Sequence, residues 1–219
     1  MIFVRTYTTL AVTILVILSS AFLLIPEIRE QLYEEDQFVE NITVMIYLFV
    51  VLCAVGGFFY VKGKYDKSVM LLFLALGLLT LLEELSYGER YFGFNAPRIL
   101  DYKMDTLHDF FFLFFKAVKE LAEHFGFAVF FLLAALGGLF LYLLYRIRAR
   151  VLPLITPLVR QPPFFYISIF IGLGLTALLV DLRIFKYDLL QVLEEGLEMD
   201  AALALAFGCV AAFRYQTGR

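Results

Sequence analysis

Residues 42–61 read ITVMIYLFVVLCAVGGFFYV, a run of twenty residues without a charged side chain. A helix of about 20 apolar residues is as long as the hydrocarbon core of a bilayer is thick. Hydrophobic residues make up 62% of the 219-residue chain, whereas soluble domains contain about 45–50%. A water-soluble core of this size cannot bury so much apolar surface. The run therefore predicts a membrane-spanning helix in a chain that faces lipid.

Five other stretches resemble this run in length and polarity, although the third and fifth spans are shorter. The six predicted spans are Thr6–Ile25, Ile42–Val61, Ser68–Leu85, Phe125–Tyr145, Phe164–Val180 and Leu197–Phe213. We therefore expect a single all-α domain, a polytopic transmembrane helix bundle. We place it in the cell (cytoplasmic) membrane.

The charges divide unevenly between the two sets of loops that this arrangement creates. One set holds 10 of the 18 basic residues and, as its only acid, Asp66. Lys and Arg concentrate in short cytoplasmic loops, so both termini are predicted to be cytoplasmic and the remaining 20 acids extracytoplasmic. The net charge is only −3 and no basic cluster alternates with aromatics, which argues against a nucleic-acid partner.

A long extracytoplasmic segment, residues 86–124, joins the third and fourth predicted spans. Its first half contains turn-forming Gly and Pro, and its second half has acidic and basic residues at helical spacing. This pattern predicts a helix lying in the membrane interface, although Phe110–Phe115 could equally begin the fourth span. On the cytoplasmic side, four prolines in residues 151–163 predict that this loop is not one regular helix.

Acidic residues cluster where the predicted spans reach the outer face. The clusters contain Asp36 and Glu40 before the second span, Glu83 and Glu84 at the end of the third, and Glu194, Glu195 and Glu198 before the sixth. Glu83 follows Lys67 by 16 residues, about 24 Å of helix, which places two adjacent carboxylates at the outer boundary of the hydrocarbon. Ionised groups at that depth usually face a partner or a hydrated cavity.

The acids before the second and sixth spans share a spacing of four, Asp36 with Glu40 and Glu194 with Glu198, so each pair lies on one helix face. Acids in a first helical turn also stabilise the helix dipole, an alternative that needs no ligand. That alternative explains Glu83 and Glu84 poorly, because they come at the C-terminal end of a helix.

The chain has two histidines, and each follows an acid by about one helical turn, His108 after Asp105 and His124 after Glu120. Asp105 and His108 are three residues apart, a spacing that suits a shared metal ion or a carboxylate that orients an imidazole. Many carboxylates with one or two histidines favour a divalent metal such as Ca²⁺, Mg²⁺, Mn²⁺, Fe²⁺ or Zn²⁺. The predicted metal-binding residues are Asp36, Glu40, Glu83, Glu84, Asp105, His108, Glu194 and Glu198.

A metal ion bound at this face would favour a hydrolytic reaction. A bound metal ion could activate water against a lipid or a lipid-linked substrate, and Arg90 or Arg98 could then hold a phosphate. The first functional hypothesis is therefore a divalent-cation-binding membrane protein, with a metal-dependent hydrolase as its catalytic form.

A motif around the third span carries a family resemblance. Glu83-Glu84-Leu85-Ser86-Tyr87-Gly88-Glu89-Arg90, a Phe92-Gly93 turn, Pro97 and Leu107-His108-Asp109 resemble a group of uncharacterised bacterial multi-pass membrane proteins. The pattern of that group is Glu-Glu-Ile-Ser-Trp-Gly-Gln-Arg, followed by a Phe-Gly turn, a Pro and Asn-Leu-His-Asn. Here Tyr87 replaces Trp, Glu89 replaces Gln and Asp109 replaces the last Asn. The resemblance implies a multi-pass membrane protein and no particular reaction.

Two other functions are compatible with the sequence. The sixth span is rich in Ala and Gly, and small residues let helices approach closely, so it could join a second copy or another subunit in a non-catalytic scaffold. An ion or small-molecule transporter is the other alternative. It is disfavoured by the expectation that no acid lies near the middle of a span, where coupled transport sites usually occur.

Overall fold

The computed structural model describes residues 2–33, 37–86, 98–99, 102–103, 109–181 and 188–217, and this part of the chain is mostly helical. A 3-10 turn, Pro26–Ile28, follows the first helix, and a small antiparallel hairpin pairs β1 (Arg98–Ile99) with β2 (Tyr102–Lys103). The helices are α1 (Ile2–Leu24), α2 (Arg29–Tyr33), α3 (Phe38–Tyr60), α4 (Lys64–Glu84), α5 (Asp109–Phe125), α6 (Phe127–Val159), α7 (Pro162–Asp181) and α8 (Asp188–Thr217).

Six of these helices, α1, α3, α4, α6, α7 and α8, are long and apolar enough to cross a membrane. This confirms the predicted fold class and the predicted number of spans. Among the apolar span candidates, the largest difference from the predicted bounds is in α8, whose candidate begins at Asp188 rather than near the predicted Leu197. The cellular membrane and the cytoplasmic orientation of the termini stay predictions.

Helix α8 is the centre of the bundle and packs against α1, α3, α4 and α7. Its alanines are buried, and so is Gly208, where an added Cβ would lie 2.9 Å from Tyr166 Cβ and 3.0 Å from the Phe73 ring. Glycine therefore lets α4 and α7 approach α8 closely. The small residues of the sixth span are used for packing within the chain.

Helix α6 lies at the edge of the bundle, where among the described elements it contacts only α5 and α7. It continues through Pro153 and Pro157 as far as Val159 and ends at a turn before α7, so residues 151–163 are not one regular helix, as predicted, although most of them are helical. The apolar part of α6 ends at Ala149, so the two carbonyl groups that the prolines leave without an N–H partner, those of Ala149 and Pro153, lie at the end of the apolar span and beyond it. Water can hydrate them there, which lets the helix tolerate both prolines.

Gly126 separates α5 from α6, because its positive φ of 59° takes the backbone out of the helical region. Phe110–Phe115 thus belongs to α5, and the second of the two interpretations, the start of the fourth span, is wrong. The position of α5 in the extracytoplasmic interface stays a prediction.

The predicted cytoplasmic loops meet at one end of the bundle. The Arg214 guanidinium lies 4.9 Å from the centre of the Phe3 ring, which brings the end of α8 next to the start of α1. The Tyr65 hydroxyl donates to Gln161 Oε1 at 3.3 Å and joins α4 to the turn between α6 and α7. Both contacts agree with an even number of spans that alternate in direction.

Candidate functional site

Some of the predicted site residues belong to the described part of the chain, and the others lie outside it. Asp36, Arg90, Asp105 and His108 lie outside the described residues, and Arg98 is described only through the backbone of β1. Five others belong to three helices: Glu40 to the first turn of α3, Glu83 and Glu84 to the end of α4, and Glu194 and Glu198 to α8.

Helical periodicity explains why acids of these three helices can meet. Residues buried in α3 recur at positions 39, 43, 47, 50 and 54, and the buried stripe of α4 includes residues 70, 73 and 77. Glu40 precedes Tyr47 by two turns, and Glu84 follows Gly77 by two turns, so each acid extends the core-facing side of its helix. The acids therefore lie directly above the apolar core.

Glu84 is the centre of the resulting group. Its carboxyl interacts electrostatically with those of Glu198, Glu195, Glu40 and Glu83, so acids from α3, α4 and α8 share one region. All five side chains are half-buried. We call Glu40, Glu83, Glu84, Glu195 and Glu198 the carboxylate cluster. Three chain segments separated by more than 40 residues contribute to it.

Tyr47 forms the floor of the carboxylate cluster. It is only 3% exposed, and its hydroxyl lies within electrostatic reach of Glu84, Glu198 and Glu83. The Tyr47 and Thr80 hydroxyls share a hydrogen bond, and the Thr80 hydroxyl also donates to the Leu76 carbonyl at 2.9 Å. Sequence reasoning did not identify Tyr47, because its position in an apolar run gives no signal.

The carboxylate cluster is not a formed metal centre. Among the residues that the structure describes, no group of three or more His, Cys, Asp or Glu side chains is placed to hold a metal ion. The acids of the cluster interact electrostatically, but they are not arranged as the ligands of a metal ion. Asp36, Asp105 and His108, the other predicted ligands, lie outside the described residues.

The acids of α8 differ from their predicted arrangement in one respect. Because α8 begins at Asp188, Glu194 and Glu198 are not in its first turn, and the helix-dipole explanation does not apply to them. Glu195, which sequence reasoning placed in the acidic cluster but not among the ligands, interacts with Glu84. The helix-dipole explanation still applies to Glu40, which lies in the first turn of α3.

A second acid of α8, Asp200, lies in quite different surroundings. It is 1% exposed, and within the described part of the chain its Oδ1 atom has no hydrogen-bond partner. The Tyr7 hydroxyl of α1 donates to the Asp200 carbonyl at 3.3 Å. Tyr7 also packs edge to face on Tyr166 of α7, with 5.7 Å between the ring centres. Asp200 is thus enclosed between α8 and the α1–α7 side of the bundle.

Asp200 is an acid inside a span candidate. The sixth candidate covers Asp188–Arg214 and so includes Asp200, which follows Glu198 by two residues. An ionisable residue inside a span is a functional candidate by default. That no acid lies near the middle of a span stays a prediction.

The described geometry therefore contains two acidic features on opposite sides of α8, the carboxylate cluster and Asp200. The first combines several acids with a tyrosine, and the second is a single buried acid near two tyrosines. Comparison of the chain with protein-family models, with curated proteins and with solved structures gives no match.

Proposed function

We propose that this integral membrane protein binds a divalent cation at the carboxylate cluster. The observation that carries the proposal is the convergence of acids from α3, α4 and α8 around Glu84. Carboxylates that share a half-buried site repel each other unless a cation or a proton compensates their charge. A divalent ion would compensate two of them at once and would draw the cluster into a tighter geometry.

The ligand chemistry narrows the choice of ion. Carboxylate oxygens are the ligands that Ca²⁺, Mg²⁺ and Mn²⁺ prefer. If His108 and Asp105 of the 86–124 segment also join, the mixed nitrogen and oxygen set would suit Fe²⁺ or Zn²⁺. Asp36, four residues before Glu40 in the sequence, would add a further carboxylate.

The catalytic form of the proposal is a metal-dependent hydrolase that acts on a lipid or a lipid-linked substrate. A bound metal ion with an open coordination position activates water and polarises a phosphoryl or carbonyl oxygen. Arg90 and Arg98 would hold a phosphate of the substrate, since guanidinium groups bind phosphate through paired hydrogen bonds. Tyr47, beneath Glu84 and Glu198, would hold the floor of the site in place through Thr80.

The test is equilibrium binding of Mn²⁺ to the purified protein, measured by electron paramagnetic resonance of the free ion. We expect Glu84→Gln to weaken binding at least about tenfold, because the amide keeps the shape and removes the central charge. Glu120→Gln is the matched control, since Glu120 is an exposed acid of α5 outside the cluster. It should bind Mn²⁺ as the wild type does.

Equal Mn²⁺ affinity of the wild type and Glu84→Gln, or no binding by either, would disprove the cation site. Circular dichroism and gel filtration in the same detergent establish that each variant is folded before its affinity is compared. Glu40→Gln and Glu195→Gln extend the test to the other two helices. Loss of affinity in all three variants would show that α3, α4 and α8 share one ion.

The structure gives different support to the two alternative functions, a scaffold subunit and a transporter. The small residues of the sixth span are buried within the chain, so they offer no particular support for a scaffold that binds a second copy or another subunit. Transport is favoured by one observation, the buried acid Asp200 within the sixth span candidate. Uptake of Mn²⁺ into proteoliposomes would distinguish a transporter from a protein that retains the ion.

A further inference from the structure

An apolar groove of about 630 Å³ runs along the surface of α8 between α1 and α3. It exists because α1 and α3 each pack against α8, whereas no Cα atom of α1 lies within 8 Å of a Cα atom of α3 in the described part of the chain. Phe38 and Phe49 of α3 form one wall, and Ala206 and Phe207 of α8 form the floor. Phe3 of α1 lies at the other end and packs on Phe207, with 6.3 Å between the ring centres.

The length of the groove matches one leaflet of a bilayer. Phe38 and Phe49 are eleven residues apart in α3, a distance of about 16 Å along the helix axis. The hydrocarbon core of a bilayer is about 30 Å thick, so a single leaflet is about half of that. A lipid acyl chain that extends through its own leaflet would therefore span the groove from end to end.

The groove faces the hydrocarbon part of the membrane. Its walls and floor belong to three helices that are each long and apolar enough to cross a membrane, so lipid rather than water faces it. Phe38 and Met45 on its rim are 61% and 64% exposed, so the rim is open to the bilayer. A mobile chain seated there would gain contacts with the aromatic walls on both sides.

One end of the groove is polar. Asn41 is the single polar side chain among the described residues that line it, and its Nδ2 atom donates to the Gln37 carbonyl at 2.7 Å in the first turn of α3. Asn41 follows Glu40, which belongs to the carboxylate cluster. The groove and the cluster therefore meet at the same end of α3, on neighbouring sides of the helix.

We infer that the groove seats one acyl chain of a lipid, whose polar head then lies beside the carboxylate cluster. The inference that an acyl chain binds depends only on the groove. The role of that lipid as the substrate rests on the proposed cation site. Such a lipid would approach from the leaflet that contains the cluster, and its head would reach the cluster without leaving the interface.

The chain contains no tryptophan, so a single introduced tryptophan is a clean fluorescent reporter. Phe49→Trp places the reporter in the groove, and Leu52→Trp places it nearly one turn further along α3, on an exposed residue that does not line the groove. Each variant is delipidated in detergent micelles and titrated with a phospholipid that carries bromine on its acyl chains. Bromine quenches tryptophan at short range.

We expect quenching in Phe49→Trp to saturate at about tenfold lower lipid-to-detergent ratio than in Leu52→Trp, whose quenching should follow the lipid content of the micelle. Ala206→Phe in the Phe49→Trp background fills the floor of the groove and should remove this difference. Gly138→Phe is the matched control, because an added Cβ there would have no described atom within 4 Å apart from the adjacent residues and its own helix backbone. It should leave the difference intact.

Equal dependence on lipid at the two reporter positions would overturn the inference. This result does not depend on whether Ala206→Phe folds. Measuring Mn²⁺ binding by the same two tryptophan variants, in which Glu84 is intact, separates the two proposals. Saturable quenching without Mn²⁺ binding would support the acyl-chain seat and refute the cation site. Mn²⁺ binding with equal quenching at both positions would do the reverse.

Discussion

The two sides of α8 carry acids in opposite surroundings. Toward α3 and α4, Glu195 and Glu198 are half-buried and interact with Glu84. Toward α1 and α7, Asp200 is almost completely buried, and Tyr7 and Tyr166 lie near it. Side chains two positions apart in a helix differ in direction by about 200°, so Glu198 and Asp200 face different environments.

The difference teaches what an acid can do in each place. The carboxylate cluster lies at the end of the bundle, where several acids can share one ion and exchange it with the aqueous phase. Asp200 has its Oδ1 atom buried without a hydrogen-bond partner in the described part of the chain, which costs stability and gives no binding geometry. Grouping and access, rather than acidity alone, make the cluster the better candidate site.

The largest expected effect comes from removing the isolated acid. Asp200→Leu replaces a carboxyl whose Oδ1 atom has no hydrogen-bond partner within the described residues with an apolar side chain of similar size. We expect the free energy of unfolding to rise by about 1–3 kcal/mol, because the desolvation cost of the carboxyl disappears. Chemical denaturation in mixed micelles, followed by circular dichroism, measures the change.

Asp200→Asn is the control for that substitution, since it keeps a polar group and should change the free energy of unfolding less than leucine does. A loss of stability in Asp200→Leu would contradict the prediction. It would mean that the carboxyl has a stabilising partner beyond the described residues, and the contrast between the two sides of α8 would then disappear.

The next effect concerns the floor of the carboxylate cluster. Tyr47→Phe removes a hydroxyl that is hydrogen-bonded to Thr80 and leaves the aromatic ring in the core. We expect the free energy of unfolding to fall by about 0.5–1.5 kcal/mol, the net contribution of one hydrogen bond. An unchanged stability in the same denaturation assay would show that the hydroxyl does not hold the floor in place.

The sequence predicted the number of spans correctly because twenty apolar residues have few alternatives in a chain of this composition. The predicted bounds of the helices were wrong where a local signal in the sequence favoured another structure. Pro153 and Pro157 indicated a loop, but a helix beyond the apolar span can leave their carbonyl partners to water. Hydropathy placed the start of the sixth span near Leu197, although the helix itself begins at Asp188.

The site was predicted less completely than the fold. Glu40, Glu84 and Glu198 were recognisable as acids at span ends, and the structure does bring them together. Tyr47 was not recognisable, because a tyrosine in an apolar run has no feature that separates a site floor from ordinary core. Asp200 was counted with the outer acids, since its burial depends on α1 and α7, which lie far from it in the chain.

The smallest expected effect distinguishes the two buried tyrosines. Tyr166 is as buried as Tyr47, but within the described residues its hydroxyl has no hydrogen-bond partner. Tyr166→Phe should therefore leave the free energy of unfolding unchanged or raise it by less than about 1 kcal/mol, opposite in sign to Tyr47→Phe. The same denaturation assay compares the two variants directly, because both lose one oxygen and keep one ring. If Tyr166→Phe destabilised the protein as much as Tyr47→Phe, its hydroxyl would have to bind something in the membrane, such as a water molecule bridging to Asp200. The α1–α7 side of α8 would then be a polar site as well.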